Sequence, residues 1–214
     1  MTAHHPQDDL LMSYGAGALG ESWSLAVATH LAYCPACRQK VEAAESVGGV
    51  ILEDVTPEPL SSNALSAVLS KLDDPIEVKS VPTQPPISSA LPQPLRNYIG
   101  DDIEKIAWKS IGGGAYQFLI STGDNDQARL LRIPGGKPVP EHGHRGREVT
   151  LVLKGSFSDQ NGNYQSGDLE DVDESMTHQP LAGGDQDCIC LAVTDASLKF
   201  KDLIPRLAQT FIRI

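Results

Sequence analysis

The chain has 214 residues, with 17 basic against 28 acidic side chains and a formal net charge of −11. That balance argues against direct nucleic-acid binding, which needs clustered Lys and Arg on phosphate, and it favours a basic partner. No run approaches the ~18–20 apolar residues of a membrane span, and the opening MTAHHPQDDLL lacks the basic and apolar regions of a secretory signal, so a cytoplasmic protein is expected.

Residues 1–72 read as all-helical. Asp8 or Asp9 can cap a first short helix through Leu10, Leu11 and Tyr14. Ser22 can cap a second, in which Leu25, Ala28 or Thr29 and Leu31 recur at helical spacing. Pro35 suits the first turn of a third helix, where its missing N–H costs nothing. That helix continues through Val41, Ala44 and Val47 and past Gly48-Gly49 towards Leu52. A fourth, with Ser61 or Ser62 as cap, sets Leu65, Val68, Leu69 and Leu72 on one face. Four short helices make a small core that a metal staple would help to hold.

Residues 73–94 carry six prolines and few large apolar side chains, the composition of an extended linker, assigned to residues 73–95. Beyond it the period changes. Strand-like runs lie at 103–110, 115–121, 128–133, 148–153, 187–194 and 211–214, several separated by turns such as Gly112-Gly113-Gly114 and Pro134-Gly135-Gly136. Many short strands without long helices between them predict an antiparallel sandwich or barrel over residues 96–214. The expected fold is therefore two domains, all-α and then all-β.

The six histidines and four cysteines fall into two groups, with none between residues 38 and 141. In the first, His30-Leu-Ala-Tyr-Cys34-Pro-Ala-Cys37 places His30 and Cys34 four apart on one helix face, with Cys37 in the first turn of the next helix. Three ligands leave tetrahedral zinc one short, and His4 or His5 is the supply upstream. Four protein ligands close such a site, which makes the zinc structural. A redox Cys-x-x-Cys expects a βαβ frame that is absent here. His5…His30-x3-Cys34-x2-Cys37 on four short helices resembles the zinc-binding anti-sigma domain, which clasps an extracytoplasmic-function sigma factor and keeps it from core RNA polymerase. The resemblance favours His5 as the fourth ligand.

The second group is Gly136-x5-His142-x-His144-x3-Glu148-x6-Gly155, with His178 on a later strand. Alternate residues of a strand share a face, so His142, His144 and Glu148 have matching parity. The spacing resembles the first cupin motif, including both glycines. The second motif is degenerate: Gly167 and His178 keep their separation, but Asp173, Ser175 and Ala182 replace the usual Pro, Gly and Asn. The resemblance implies a cupin β-barrel (a double-stranded β-helix) with His142, His144, Glu148 and His178 as metal ligands. Three neutral imidazoles and one carboxylate leave a divalent ion at net +1, favouring an additional anionic ligand. Zinc, iron and manganese all suit these donors. Cys188 and Cys190 share one face of a strand, either as redox thiols near the metal or as small buried apolar residues. The acidic run at 168–174 reads as a solvated strand and loop.

A zinc-binding helical domain followed by a cupin resembles the ChrR family of zinc-binding anti-sigma factors. What this implies is a regulator, not an enzyme, that holds an extracytoplasmic-function sigma factor, one to one, and releases it under oxidative stress such as singlet oxygen or organic hydroperoxide, with the cupin as sensor or transmitter. Two alternatives stand beside it. One is a cupin metalloenzyme such as a dioxygenase, although the sequence offers no clear acid or base behind the metal ligands. The other is a sensor of an organic acid held by Arg145 or Arg147, which read more naturally as solvent-facing turn residues.

Overall fold

The computed structural model describes residues 2–72, 91–184 and 186–200, so the strand expected at 211–214 and most of the proline-rich stretch lie outside the described residues. The helices are α1 (Asp8–Gly15), α2 (Glu21–Tyr33), α3 (Pro35–Glu53), α4 (Ala64–Leu69) and α5 (Gln93–Ile99). As the spacing predicts, Pro35 opens α3, which runs through Gly48-Gly49. The caps differ from expectation. Asp8 lies inside α1 behind Gln7, Ser22 inside α2 behind Gly20, and α4 follows Asn63. Glycine at the cap of α2 offers no side-chain acceptor. Asp124 takes over that task from far along the chain, accepting from the Ser22 backbone N–H at 2.8 Å and its hydroxyl at 2.7 Å. A carboxylate there satisfies an orphan donor and complements the helix dipole.

The strands are β1 (Lys109–Gly112), β2 (Ala115–Ile120), β3 (Gln127–Ile133), β4 (His142–Gly143), β5 (Glu148–Lys154), β6 (Ser156–Ser158), β7 (Asn163–Gln165), β8 (Leu169–Val172), β9 (Thr177–His178), β10 (Leu181–Ala182), β11 (Cys188–Thr194) and β12 (Lys199–Phe200). Residues 103–108, read as the start of a strand, form turns. Six strands make one antiparallel sheet in the order β1-β2-β3-β11-β5-β8, and β10-β6-β7 and β12-β4-β9 form two smaller sheets.

Every residue of β11 is buried, the mark of a strand covered on both faces. Ile189, Leu191 and Val193 join the main core together with Leu25, Ala26 and Val27 of α2. Cys188 and Cys190 point the other way, into a smaller cluster with Val152, Phe157 and Tyr164. Helix α2 thus lies between α1 and α3 and the six-stranded sheet, which explains why so much of its surface is buried. The main core is shared by helices and sheet. It is not the small separate helical core that four helices predict, and Leu65, Val68, Leu69 and Leu72 are all exposed.

The six-stranded sheet ends at β8, and the N-terminal arm seals that edge. Asp168 Oδ1 accepts from the Ala3 N–H at 2.6 Å and the His4 N–H at 3.1 Å. The Leu169 N–H donates to the His4 carbonyl at 3.2 Å, and the Gln7 N–H to Asp171 at 3.0 Å. An arm held along the edge this way stands in the path of a foreign strand. Burial raises the Asp168 carboxyl, but the N–H groups of Gln165, Ala3 and His4 outweigh it and hold the group below the usual carboxylate range. The acidic run is therefore solvated only in its loop, at Asp173 and Glu174, while Asp168 and Glu170 are buried. Arg147 is likewise no free turn cation, because it bridges Asp171 at 2.7 Å and Asp9.

At Gly167 the arm and α2 both crowd the turn into β8. The glycine's φ is +94°, and a Cβ there would stand 2.9 Å from Thr2 Cγ2 and 3.0 Å from Tyr33 Cβ. Gly167→Ala combines left-handed strain with overpacking and is expected to destabilise the chain by about 1–3 kcal/mol. The readout is a lower urea midpoint at unchanged m-value; an unchanged midpoint would contradict it.

Candidate metal centres

His5, His30, Cys34 and Cys37 bring one ligand atom each to within 4.8 Å of all the others. His5 Nδ1 is 3.4 Å from both sulfurs, and His30 Nε2 is 3.4 Å from Cys37 Sγ. A tetrahedral zinc with Zn–S of ~2.3 Å and Zn–N of ~2.0 Å would separate N and S by about 3.5 Å, so the spacing fits. His30 Nδ1 donates to the Gly167 carbonyl at 3.0 Å, leaving the Nε2 lone pair aimed at the cluster. Burial holds His30 down to about 4, so the ring is neutral. Burial, and then the adjacent Cys34, push Cys37 up to about 12. Two neighbouring buried thiols resist double ionisation, and a dication between them reverses that. Of the four, His5 is exposed and the rest are buried. His4 takes a different place, against Tyr164 with ring centroids 4.4 Å apart.

The second cluster gathers His142, His144 and His178, all buried. Pairing of β4 with β9 sets His142 directly opposite His178. His178 Nε2 stands 3.1 Å from His142 Nε2 and 3.2 Å from His144 Nε2. His142 Nδ1 donates to the Pro140 carbonyl at 2.9 Å, and His178 Nδ1 to Asp159 at 2.9 Å, with Glu170 Oε1 at 3.4 Å. With each Nδ1 engaged, the two Nε2 atoms face one another at a distance where a cation between them would accept both lone pairs. Burial holds His142 near 4 and His144 near 3. At His178 burial acts downward too, but Glu170 and then Asp159 outweigh it and raise the ring.

Glu148 stands beside this cluster, not within it. Its Oε2 is 3.8 Å from His144 Nδ1, a buried nitrogen without a hydrogen bond, and desolvation pushes the carboxyl up to about 7. Asp159 and Glu170 are the acids behind a histidine that the sequence did not reveal; strand parity, turning Glu170 inward between Leu169 and Asp171, was the available signal. Cys188 and Cys190 have their sulfurs 3.4 Å apart in the same interior, where the contact with Cys188 and burial push Cys190 well above the ordinary thiol range. His142, Glu148, Glu170, His178, Cys188 and Cys190 line a cavity of about 390 Å³ between strands of all three sheets.

Fold and clusters together define a cupin-like β domain, with a buried histidine cluster, joined to a helical region that carries a Cys/His cluster. Residues 98–197 match the ChrR Cupin-like domain. Over 211 residues the chain is 45% identical to the anti-sigma-E factor ChrR of Cereibacter sphaeroides, covering 99% of this chain and 98% of that protein. Its structure resembles a chain of the crystal structure of Rhodobacter sphaeroides SigE in complex with the anti-sigma ChrR, with a TM-score of 0.80 and 44% identity over 91% of this chain and 100% of that one. The chain belongs to the ChrR family of anti-sigma factors. That membership sets it among anti-sigma regulators.

If Asp159 and Glu170 orient His178 towards a metal ion, Asp159→Asn and Glu170→Gln should each weaken metal retention at the second cluster by about 10–100-fold. Competition with a chromophoric chelator reads this, with the first cluster as internal reference. Equal loss from both clusters, or from neither, would contradict the assignment.

Proposed function

We propose that this chain holds an extracytoplasmic-function sigma factor in a one-to-one cytoplasmic complex and releases it under oxidative stress, such as singlet oxygen or organic hydroperoxide. The observation that carries this reading is an uncovered apolar surface. Val50, Ile51 and Leu52 at the end of α3, and Leu65, Val68 and Leu69 of α4, are all more than half exposed, in a chain whose main core is otherwise well closed. Several exposed apolar residues grouped on each of two helices fit a docking surface. The acidic balance of the chain suits the basic partner that a sigma factor would be.

In this reading residues 1–72 form the sigma-binding domain, 73–95 the linker and 96–214 the cupin. Zinc in the first cluster would tie the arm, α2 and α3 together through His5, His30, Cys34 and Cys37. At the second cluster His142, His144 and His178, with Glu148 moving in from beside them, would hold zinc, iron or manganese, which supplies a Lewis-acidic centre when bound.

The chain's own residues supply a route from one cluster to the other. Glu170 touches His178 on the cavity side of β8, while Gly167, Asp168 and Asp171 at the same edge hold His30 and the arm. A change at His178 that shifts β8 would act on the helical region without a second messenger. Cys188 and Cys190, facing the same cavity, are the candidate redox thiols of that input.

Co-expression of the full chain with each such sigma factor of its host should yield one stable one-to-one complex. Leu65→Asp with Val68→Asp should weaken it by about 100-fold or more, since two central apolar anchors are lost. Thermal stability should be unchanged, because both side chains are exposed. Undiminished binding by the double variant would overturn the assigned surface.

A further inference from the structure

Arg129 sits in the middle of β3 and is only 3% exposed. Strand parity turns it, with Leu131 and Ile133, into the cavity, while Ala128 and Leu130 face the helices. One terminal nitrogen, Nη2, donates to Gln127 Oε1. The other, Nη1, is buried and has no hydrogen-bond partner. A guanidinium so deeply buried with an unmet donor is costly, and a chain that keeps one there has another use for it. Glu148 is the charge that acts on it from within the protein, yet it forms no hydrogen bond with Nη1. In the reading above Glu148 is directed to the metal, which leaves Arg129 without an anion.

The surroundings define what that anion would be. Leu131, Ile133, Val139, Phe157 and Leu198 give the cavity apolar walls, and its volume of about 390 Å³ lies in the range of small-molecule sites. Two carboxylates, Glu148 and Glu170, line the same space and disfavour a dianion such as phosphate. Ala192 lies directly across from Arg129 on β11 and leaves room beside the guanidinium. We propose that the cupin cavity is a binding site for a small monocarboxylate with an apolar tail, its carboxylate paired with Arg129 and its tail against the walls. The proposal goes beyond the anti-sigma reading and stands or falls separately, because binding is measured on the chain without a sigma factor. Arg145 and Arg147 take no part: Arg145 is exposed and Arg147 is engaged by Asp9 and Asp171.

The test is calorimetric titration of the full chain with octanoate, and with octanol and acetate as probes lacking the charge or the tail. Octanoate should bind at one site per chain, with octanol and acetate weaker by roughly tenfold or more. Arg129→Met, which keeps length and removes charge, should weaken octanoate by a similar factor. Ala192→Leu keeps the guanidinium and fills the space beside it, so it should also reduce binding; it decides the matter if Arg129→Met fails to fold. Absence of octanoate binding, equal binding by the variants, or an affinity that follows metal content and not Arg129 would each overturn the proposal.

Discussion

The hydrogen bond from His30 Nδ1 to the Gly167 carbonyl is the contact around which the molecule is organised. It fixes the tautomer of a histidine in the first cluster and does so with a backbone atom of the cupin-like domain. One residue further on, Asp168 grips the arm that delivers His5 to the same cluster. Two of the four donors of the helical cluster are therefore positioned by the turn into β8. All four donors come from the helical half, and two of them are held by contacts from the cupin-like half.

Packing reinforces the same junction. Helix α2 is apolar on more than one side because it has two partners, the α1–α3 pair and the six-stranded sheet. Its N-terminus is capped by Asp124 from the β2–β3 turn, and Trp23 Nε1 donates to Asp126 at 2.8 Å in the same turn. By contrast α3 ends and α4 lies with apolar side chains uncovered. One end of the helical region is committed to the cupin and the other is open, a division of surfaces suited to relaying a change from a ligand cavity to a protein partner.

What was legible in the sequence was local chemistry. His30, Cys34 and Cys37 lie within eight residues of one another, but Cys34 is not on the face of α2 as the spacing predicts: it is the extended cap between α2 and α3, and that junction brings the three together. The longer cupin strands β2, β3, β5 and β11 were legible as strand-like runs, whereas the two- and three-residue strands β6, β7, β10 and β12 are too short to leave a period. Long-range placement was not. Choosing His5 over His4 depends on the path of an arm held by Asp168, which no spacing encodes. Glu170 was hidden in an acidic run whose composition suggests solvent, although it alone of that run lines the cavity. The leucines of α4 show the limit most plainly: periodicity reports that a helix has an apolar face, not whether the chain itself covers it.

Strand β8 lies between the second cluster, which it meets at Glu170, and the arm and first cluster, which it meets at Gly167, Asp168 and Asp171. Amide exchange of the full chain, wild type against Glu170→Gln and with the first cluster loaded with zinc, tests that link most directly. The account predicts faster exchange at Ala3, His4 and Leu169, whose N–H groups are held at the β8 edge, as well as around His178. Faster exchange confined to β4 and β9, with the arm unchanged, would show that the cavity and the helical region do not communicate through this strand.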